Sequence, residues 1–547
     1  MLAAMSNPVF TYQTRLLLDA AQASALDAYA ELHGRAERTL FAALRAGSPI
    51  NDLKRSFLPR FGITARQFNA LRVGLEGKIR SIKERRPDLI AEAKSRIKTA
   101  ESVIAKLSAR AKGSNKLHQK KRRLATLKVR CSSLEADQAA SAVRLCFGSK
   151  RLFRAQFNLA ANGYGSHGEW KADWQRNRSS QFFVLGSGDE TAGNQTCQAA
   201  LESKGNFTLR LRLPDALVAS GASRIMALTD VRFAYGHDQI AVALASSQRI
   251  HAQTKDGKQI VKRIGTALSY RFVRDAKGWR VFVSVEAEPA GRASSMALGS
   301  IGVDVNADHL AVSETDRFGN LIGARRIGLT VYGKTTDQAK ALIGNAAVCI
   351  AAQARAAGKP VIIEKLEFQR KKAELEANNP KQARLLSSFA CRQVAAHLKA
   401  ACFRAGVEVI EVNPAYTSVI GVVNHAQRHG ISVHMGAAFA IARRGLGFSE
   451  RLPKRPAIVP VRNGGHVTFT LPARNRAKHV WSSWADIRKK LKAAHVAHAR
   501  SGEANATPAP LLSATRAACS HRAFGARFPD ANRSQHCSES VLDDVPW

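Results

Sequence analysis

Apolar positions fall in three rhythms along the chain. Over 19–46 they recur at helical spacing, with Leu26, Tyr29, Ala30, Leu40 and Leu44 and few breakers. This predicts an amphipathic helix stopped by Gly47-Ser48-Pro49. A short strand at 9–14 precedes it, and helices are expected over 51–58 and 64–79. Pro87-Asp88 opens a further helix to about 112, Gly113-Ser114-Asn115 turns the chain, and a partner helix runs from about 116 to 138. From 142 to 290 the period shortens. Segments 181–185, 207–213, 224–233, 239–245, 268–273 and 279–285 alternate or are β-branched, and Gly, Asp and Asn separate them. That is the pattern of an antiparallel barrel or sandwich.

The third rhythm covers 298–450. Two strands meet at a turn over Asn306–Asp308, and a third lies at 320–329. A helix over 335–357, a short buried strand at 361–366, a helix at 381–404, a strand at 407–412 and a small-residue helix at 432–445 follow. The order βββαβαβα fits a ribonuclease-H-type mixed sheet packed by helices. After Pro453 the periodicity fades; 451–480 is basic and Pro-rich, helix propensity returns over 480–500, and 501–547 has the composition of a disordered tail. The expected fold class is therefore α/β and multidomain: an N-terminal strand plus basic helical lobe (1–140), a β-rich, barrel-like lobe (141–295), the mixed-sheet domain (296–450) and a basic tail (451–547).

Composition adds limits. With 45% apolar and 23% charged residues among 547, the bulk of the chain is neither disordered nor collagen-like. No run of 18 apolar residues predicts a membrane span, and the N-terminal residues do not read as a secretion signal. The charge is the unusual quantity. Lys and Arg number 84 against 42 Asp and Glu, a formal net charge of +42. A chain so basic repels itself unless it meets a polyanion, and nucleic acid is the common one. An anionic membrane would instead favour charge concentrated in one amphipathic helix. Of the eight cysteines no two are three apart, so no CxxC zinc element is expected, and reduced thiols in a cytoplasmic protein are.

Two basic surfaces are candidates for phosphate contact. The run 116–123 carries Lys120, Lys121, Arg122 and Arg123 on a predicted helix. Arg210 and Arg212 alternate on one strand face, either as a positive β-surface or as a solvated one. Arg443 and Arg444, at the end of the small-residue helix, are further candidates.

Candidate chemistry lies in the third domain. Asp304 stands inside an apolar strand, Ile-Gly-Val-Asp-Val-Asn, and Glu364 ends another, Val-Ile-Ile-Glu-Lys-Leu. A carboxylate so placed is costly without a cation or a basic partner. In a ribonuclease-H-type sheet the first and fourth strands are neighbours, so the two acids can meet at one end and hold magnesium for phosphodiester hydrolysis. Alternatively each acid sits at a strand end and reaches solvent. A third ligand should come from the last helix, where His434 faces the sheet. Imidazole suits manganese better than magnesium, and His434 can instead serve as a base or simply pack.

These residues resemble the RuvC-like nuclease domain of the TnpB (OrfB) transposon-encoded family, related to type V CRISPR effectors. The resemblance rests on Gly302-Val303-Asp304, on Ile363-Glu364-Lys365-Leu366, on Asn413-Pro414-Ala415-Tyr416-Thr417-Ser418 and on the helix around Ala437–Ile441. The opening Thr11-Tyr12-Gln13-Thr14-Arg15 and the lobes after it are similar to the family's guide- and target-binding lobes. It implies an RNA-guided DNA endonuclease with guide RNA and DNA target as partners, a Mg2+ or Mn2+ cofactor, and Asp304, Glu364 and His434 as catalytic and metal-binding positions. It sets no oligomeric state. Two departures stand out. No cysteine follows Ser418 where the family has a zinc ribbon, so no zinc is expected, and His434 stands where the family has an aspartate. A guide-directed binder that no longer cuts, or a nucleic-acid-binding protein without chemistry, remain alternatives. A DNA-joining transposase shares the fold type, and an actin-like ATPase would need phosphate-binding Gly turns that Asp304-Val305-Asn306-Ala307 does not offer.

Overall fold

The computed structural model describes residues 8–110, 113–253, 259–287, 290–365, 391–453, 455–461, 466–475 and 477–503. The chain divides into two compact units, Met1–Glu288 and Pro289–Trp547.

In the first unit, β1 (Val9–Arg15) leads into α1 (Ala20–Arg45), α2 (Ile50–Phe61), α3 (Ala65–Arg110) and α4 (Asn115–Ala139). The short helices α5 (Lys150–Ala155) and α6 (His167–Arg178) follow. Then come β2 (Gln181–Val184), β3 (Cys197–Leu201), β4 (Phe207–Arg212), α7 (Asp215–Ala219), β5 (Ile225–Val231) and α8 (His237–Ala245). The unit closes with β6 (Gln248–Gln253), β7 (Gln259–Ile264), β8 (Leu268–Asp275) and β9 (Gly278–Glu286). An antiparallel sheet in the order β1-β9-β8-β2 and a second, β3-β4-β5, share one core that includes Tyr12, Phe182, Phe207, Leu209, Phe272 and Val283. The N-terminal strand thus pairs with the last strand of the β-rich segment, Val9 opposite Glu286. α1 serves two cores. Leu26, Tyr29 and Ala30 pack on the sheets, while Leu32, Ala36 and Leu40 pack with α2 and α3.

Two expectations are corrected in this unit. The segment 239–245, read as a strand, is helical. Gly236 turns the chain with φ of 74°, and Ile240 and Ala243, three apart, are buried while Val242 is exposed; alanine at every second position suits a helix as well as a strand. The helices expected at 64–79 and from 88 are one 46-residue helix running through Pro87. Proline removes one helical hydrogen bond there. Beside it the buried Arg86 guanidinium donates to the carbonyls of Asp137 and Ala142, which fixes α3 against the end of α4.

In the second unit, β10 (Ser300–Val305), β11 (His309–Thr315) and β12 (Leu321–Gly328) form an antiparallel meander. α9 (Thr336–Ala357) crosses to β13 (Val361–Glu364), and α10 (Cys391–Arg404) leads to β14 (Val409–Val412). The five-stranded order is β12-β11-β10-β13-β14, with β13 parallel to β10 and to β14. This is the expected ribonuclease-H-like mixed sheet. The remaining elements are α11 (Thr417–Ile420), a π-helical turn (Gly421–Ala426), α12 (Gln427–His429), α13 (Val433–Gly445), a hairpin of β15 (Ala457–Pro460) and β16 (His466–Phe469), and α14 (Val480–Glu503).

The two faces of this sheet differ in side-chain size, and that difference places the helices. Ile301, Val303, Val361 and Ile363 pack with Ile343, Ile350, Val394 and Leu398 of α9 and α10. The opposite face offers Ser300, Gly302 and Ser313, small enough for α13 to lie directly on the strands. A Cβ on Gly302 would come within 2.0 Å of the Ala438 carbonyl oxygen. α13 is buried from Gly436 to Ala442, and its other side meets the π-turn, where Gly421 and Gly436 approach backbone to backbone. The helix expected over 480–500 forms as α14, and its Trp484 and Ile487 pack against Val419, Ile420 and Ala440. The hairpin of β15 and β16 stands in the stretch 451–480 where the apolar pattern fades. Of the disorder expected over 501–547, residues 501–503 instead end α14, and the rest, with the sequence 366–390, lies outside the described residues.

Candidate functional site

β10 and β13 run parallel with Val303 opposite Ile363. Asp304 and Glu364 are the next residue on each strand and share the face that α13 covers, because alternate residues of a strand point to one side. Asp304 is 8% exposed. Its Oδ2 accepts a hydrogen bond from Asn306 Nδ2 at 3.0 Å and lies 3.5 Å from His434 Nδ1 at the start of α13. The helix start is fixed by Ser432, whose hydroxyl accepts from the Met435 amide, and by Ser313, which donates to the Met435 carbonyl at 2.8 Å. Asp304 and His434 are thus in direct contact, and Glu364 stands on the neighbouring strand at the next register position on the same face.

Glu364 is half-buried and accepts a hydrogen bond from the Thr417 hydroxyl. Thr417 follows Tyr416, a non-glycine residue with φ of 62°. Holding that conformation costs on the order of 1–3 kcal/mol, and here it starts α11 with Thr417 turned toward Glu364. Arg444 donates to the Asn413 carbonyl on the same segment. Burial lowers the Arg444 guanidinium below its ordinary value, and the carboxylates of Glu364 and Glu450 act in the opposite direction.

Beside His434 stands a histidine the sequence reading passed over. The His309 ring is buried and meets the His434 ring edge-on, 4.9 Å between centroids. His309 Nδ1 is 2.7 Å from Asp308 Oδ1, and Arg326 donates to Asp308 Oδ2 at 2.7 Å. The hydrogen bond from His309 holds the Asp308 carboxyl below the usual range, and Arg326 adds to it. Asp308 and His309 were legible only as the end of a hairpin turn. Their alignment with His434 depends on where α13 docks. Thr417 was visible inside the Asn413–Ser418 segment, yet nothing local tied it to Glu364.

Under α13 lies a second charged group. Glu450 accepts from Arg443 Nε at 2.5 Å, lies 3.3 Å from His425 Nε2, and accepts from Asn424 at 3.4 Å. Burial alone would raise the Glu450 carboxyl, but His425 and Arg443 bring it down to about 2. Arg443 also donates to the Gly319 carbonyl and lies over the rings of Phe439 and Phe448. Both Arg443 and Arg444 are therefore engaged within the chain. Lys121, Arg122 and Arg123 are exposed on α4, with Lys120 half-buried. On β4, Arg210 is exposed and Arg212 makes an ion pair with Asp215 at 3.4 Å, on the face opposite the buried Leu209 and Leu211.

Among the described residues no three His, Cys, Asp or Glu side chains form a cage for a metal ion. Magnesium does not need one: it binds through one or two carboxylates and completes its shell with water and phosphate. The adjacent Asp304 and Glu364, oxygen donors at the ends of parallel strands, fit that requirement. Among the described residues no helix is long and apolar enough to cross a membrane.

No protein-family model matches the chain, and no curated protein matches it. Among solved structures, the chain is similar to Thermus thermophilus RuvC. In complex with a Holliday junction substrate that protein is 16% identical, with 26% of this chain and 90% of that chain covered and a TM-score of 0.20. A second RuvC structure has the same identity and coverage and a TM-score of 0.19. The Cas12f1–sgRNA–target DNA complex is 11% identical, with 66% of this chain and 94% of that chain covered and a TM-score of 0.20.

Proposed function

We propose that the chain is a transposon-associated, RNA-guided DNA endonuclease of the TnpB (OrfB) type, in which the second unit hydrolyses DNA phosphodiesters. The observation that carries this reading is the placement of Asp304 and Glu364 side by side at the ends of parallel strands, on the face covered by the His434-bearing helix. Asn306 and His434 orient the Asp304 carboxylate, and Thr417 orients Glu364. A magnesium or manganese ion held by the two carboxylates would supply charge stabilisation at the phosphate and an activated water. The exposed Lys121, Arg122 and Arg123 and the β4 arginines grip phosphates, and base pairing to a guide RNA supplies the sequence.

A second reading, a guide-directed binder that does not cut, is favoured by one feature: His434 already sits against Asp304 Oδ2. One experiment separates them. The protein is purified with its bound RNA, the RNA is sequenced, and cleavage of a matching DNA is measured with magnesium and with manganese. The nuclease reading expects cleavage by the wild type, none by Asp304→Ala, and equal RNA retention by both. Cleavage that survives Asp304→Ala refutes the site; RNA-dependent DNA binding without cleavage in either metal supports the second reading.

A further inference from the structure

The first unit carries an aromatic ladder that none of the chemistry above uses. Helices α5 and α6 form a hairpin whose fold is fixed at both ends. Trp170 Nε1 donates to the Leu152 carbonyl at 2.8 Å, and Asn177 Oδ1 accepts from the Ser149 amide at 2.7 Å. Across it the rings of His167, Trp170, Trp174, Phe153 and Phe157 follow one another. Trp170 and Trp174 are stacked at 6.3 Å, Trp174 and Phe153 lie 5.4 Å apart, and Phe153 and Phe157 meet edge to face at 6.3 Å. From Trp170, which is 5% exposed, the ladder runs out into solvent at Phe153, 42% exposed, and Phe157, 77% exposed.

Charge surrounds the open end. Lys150, Arg151 and Arg154 of α5 are exposed, as are Lys171 and Arg176 of α6. The two acids of this segment are turned to internal work: Glu169 accepts from the Gly165 amide, and Asp173 accepts from Tyr164 and Arg176. A flat aromatic face in a cationic rim suits a partner that is both a polyanion and a source of exposed rings. A duplex keeps its base faces inside the stack, whereas an unpaired strand offers them.

We infer that the α5–α6 hairpin is a stacking surface for unpaired bases of single-stranded nucleic acid, with Phe157 as the first platform and the α5 cations on the flanking phosphates. This goes beyond the cleavage reading and stands on different residues, so loss of activity at Asp304 does not bear on it.

The test is equilibrium binding of the full chain to a single-stranded oligonucleotide, in DNA and RNA versions, and to a duplex of the same length, over a series of salt concentrations. Phe157→Ala and Phe157→Leu are expected to weaken single-strand binding about tenfold, the scale of one stacked base. Neither should change the salt slope, since no phosphate contact is removed. Phe157→Trp should retain affinity, and Arg154→Ala should lower the slope by about one. Because Phe157 is exposed, folding is not at stake, and circular dichroism checks it. Unchanged single-strand affinity in Phe157→Ala overturns the inference, as does an equal loss on the duplex. A change of oligomeric state in Phe157→Ala, read by light scattering, overturns it in favour of a contact between copies.

Discussion

At the scale of single residues, the site is a carboxylate held on one side by an amide and on the other by an imidazole. If His434 acts as a ligand or base, its loss removes a group worth about a hundredfold in rate. His434→Ala is therefore expected to cut the cleavage rate by about that factor while leaving the Kd for nucleic acid unchanged, as read by single-turnover cleavage beside equilibrium binding. Glu450 carries a separate, pH-dependent prediction. Its carboxyl moves from an ordinary 4.5 to about 2 in the folded chain. A lowered carboxyl contributes stability above the unfolded value and loses it as pH falls toward the folded one. The difference amounts to roughly 3 kcal/mol. Glu450→Gln should thus lower the melting temperature clearly at pH 7, and the gap to the wild type should close between about pH 4.5 and 2. A gap that stays constant over that range would show that His425 and Arg443 do not hold the charge.

At the scale of elements, the contact between β10 and α13 decides whether the site exists. Both elements are built small where they touch: Gly302 on the strand, Ala438 and Ala442 on the helix. Gly302→Ala would drive a methyl into the Ala438 carbonyl. It is expected to destabilise the second unit by about 3 kcal/mol or more, near the upper range for overpacking, and to separate His434 from Asp304. Chemical denaturation followed by circular dichroism measures the first effect; loss of cleavage at a temperature where the variant is still folded measures the second. Over Thr417–His429 a π-helical turn packs glycine to glycine on α13, and Trp484 of α14 packs against Val419 and Ile420 beside it.

At the scale of the whole molecule, the proposed role and a net charge of +42 together predict an affinity for nucleic acid that depends strongly on salt. Each neutralised phosphate contributes about 0.9 to the slope of log K against log salt for duplex DNA. Replacing Lys121, Arg122 and Arg123 together by Gln should therefore lower that slope by about three if all three reach phosphates. Fluorescence anisotropy between 50 and 300 mM salt, both on the order used for such titrations, gives the slope. An unchanged slope would assign α4 to solvent and leave the charge to other surfaces.

The sequence by itself determined the order of the five strands of the mixed sheet and of the long helices between and after them, because β10, β13 and β14 are short apolar runs bounded by turn residues; it did not show the short helical turns over 417–429 or the β15–β16 hairpin. It also singled out Asp304 and Glu364, because a carboxylate in such a run stands out locally. Tertiary structure decided everything that depends on which segments meet. It paired β1 with β9 across more than two hundred residues of sequence, ran α3 through Pro87, and set the Arg86 side chain on the carbonyls of Asp137 and Ala142. It made a helix of 239–245, where alternating alanine leaves the period ambiguous. It also brought His309 and Thr417 to the site, since neither has a local signal and each matters only through a neighbour distant in sequence. Local pattern records what a residue does to its own segment; docking records what two segments do to each other, and the chemistry of this site belongs to the second.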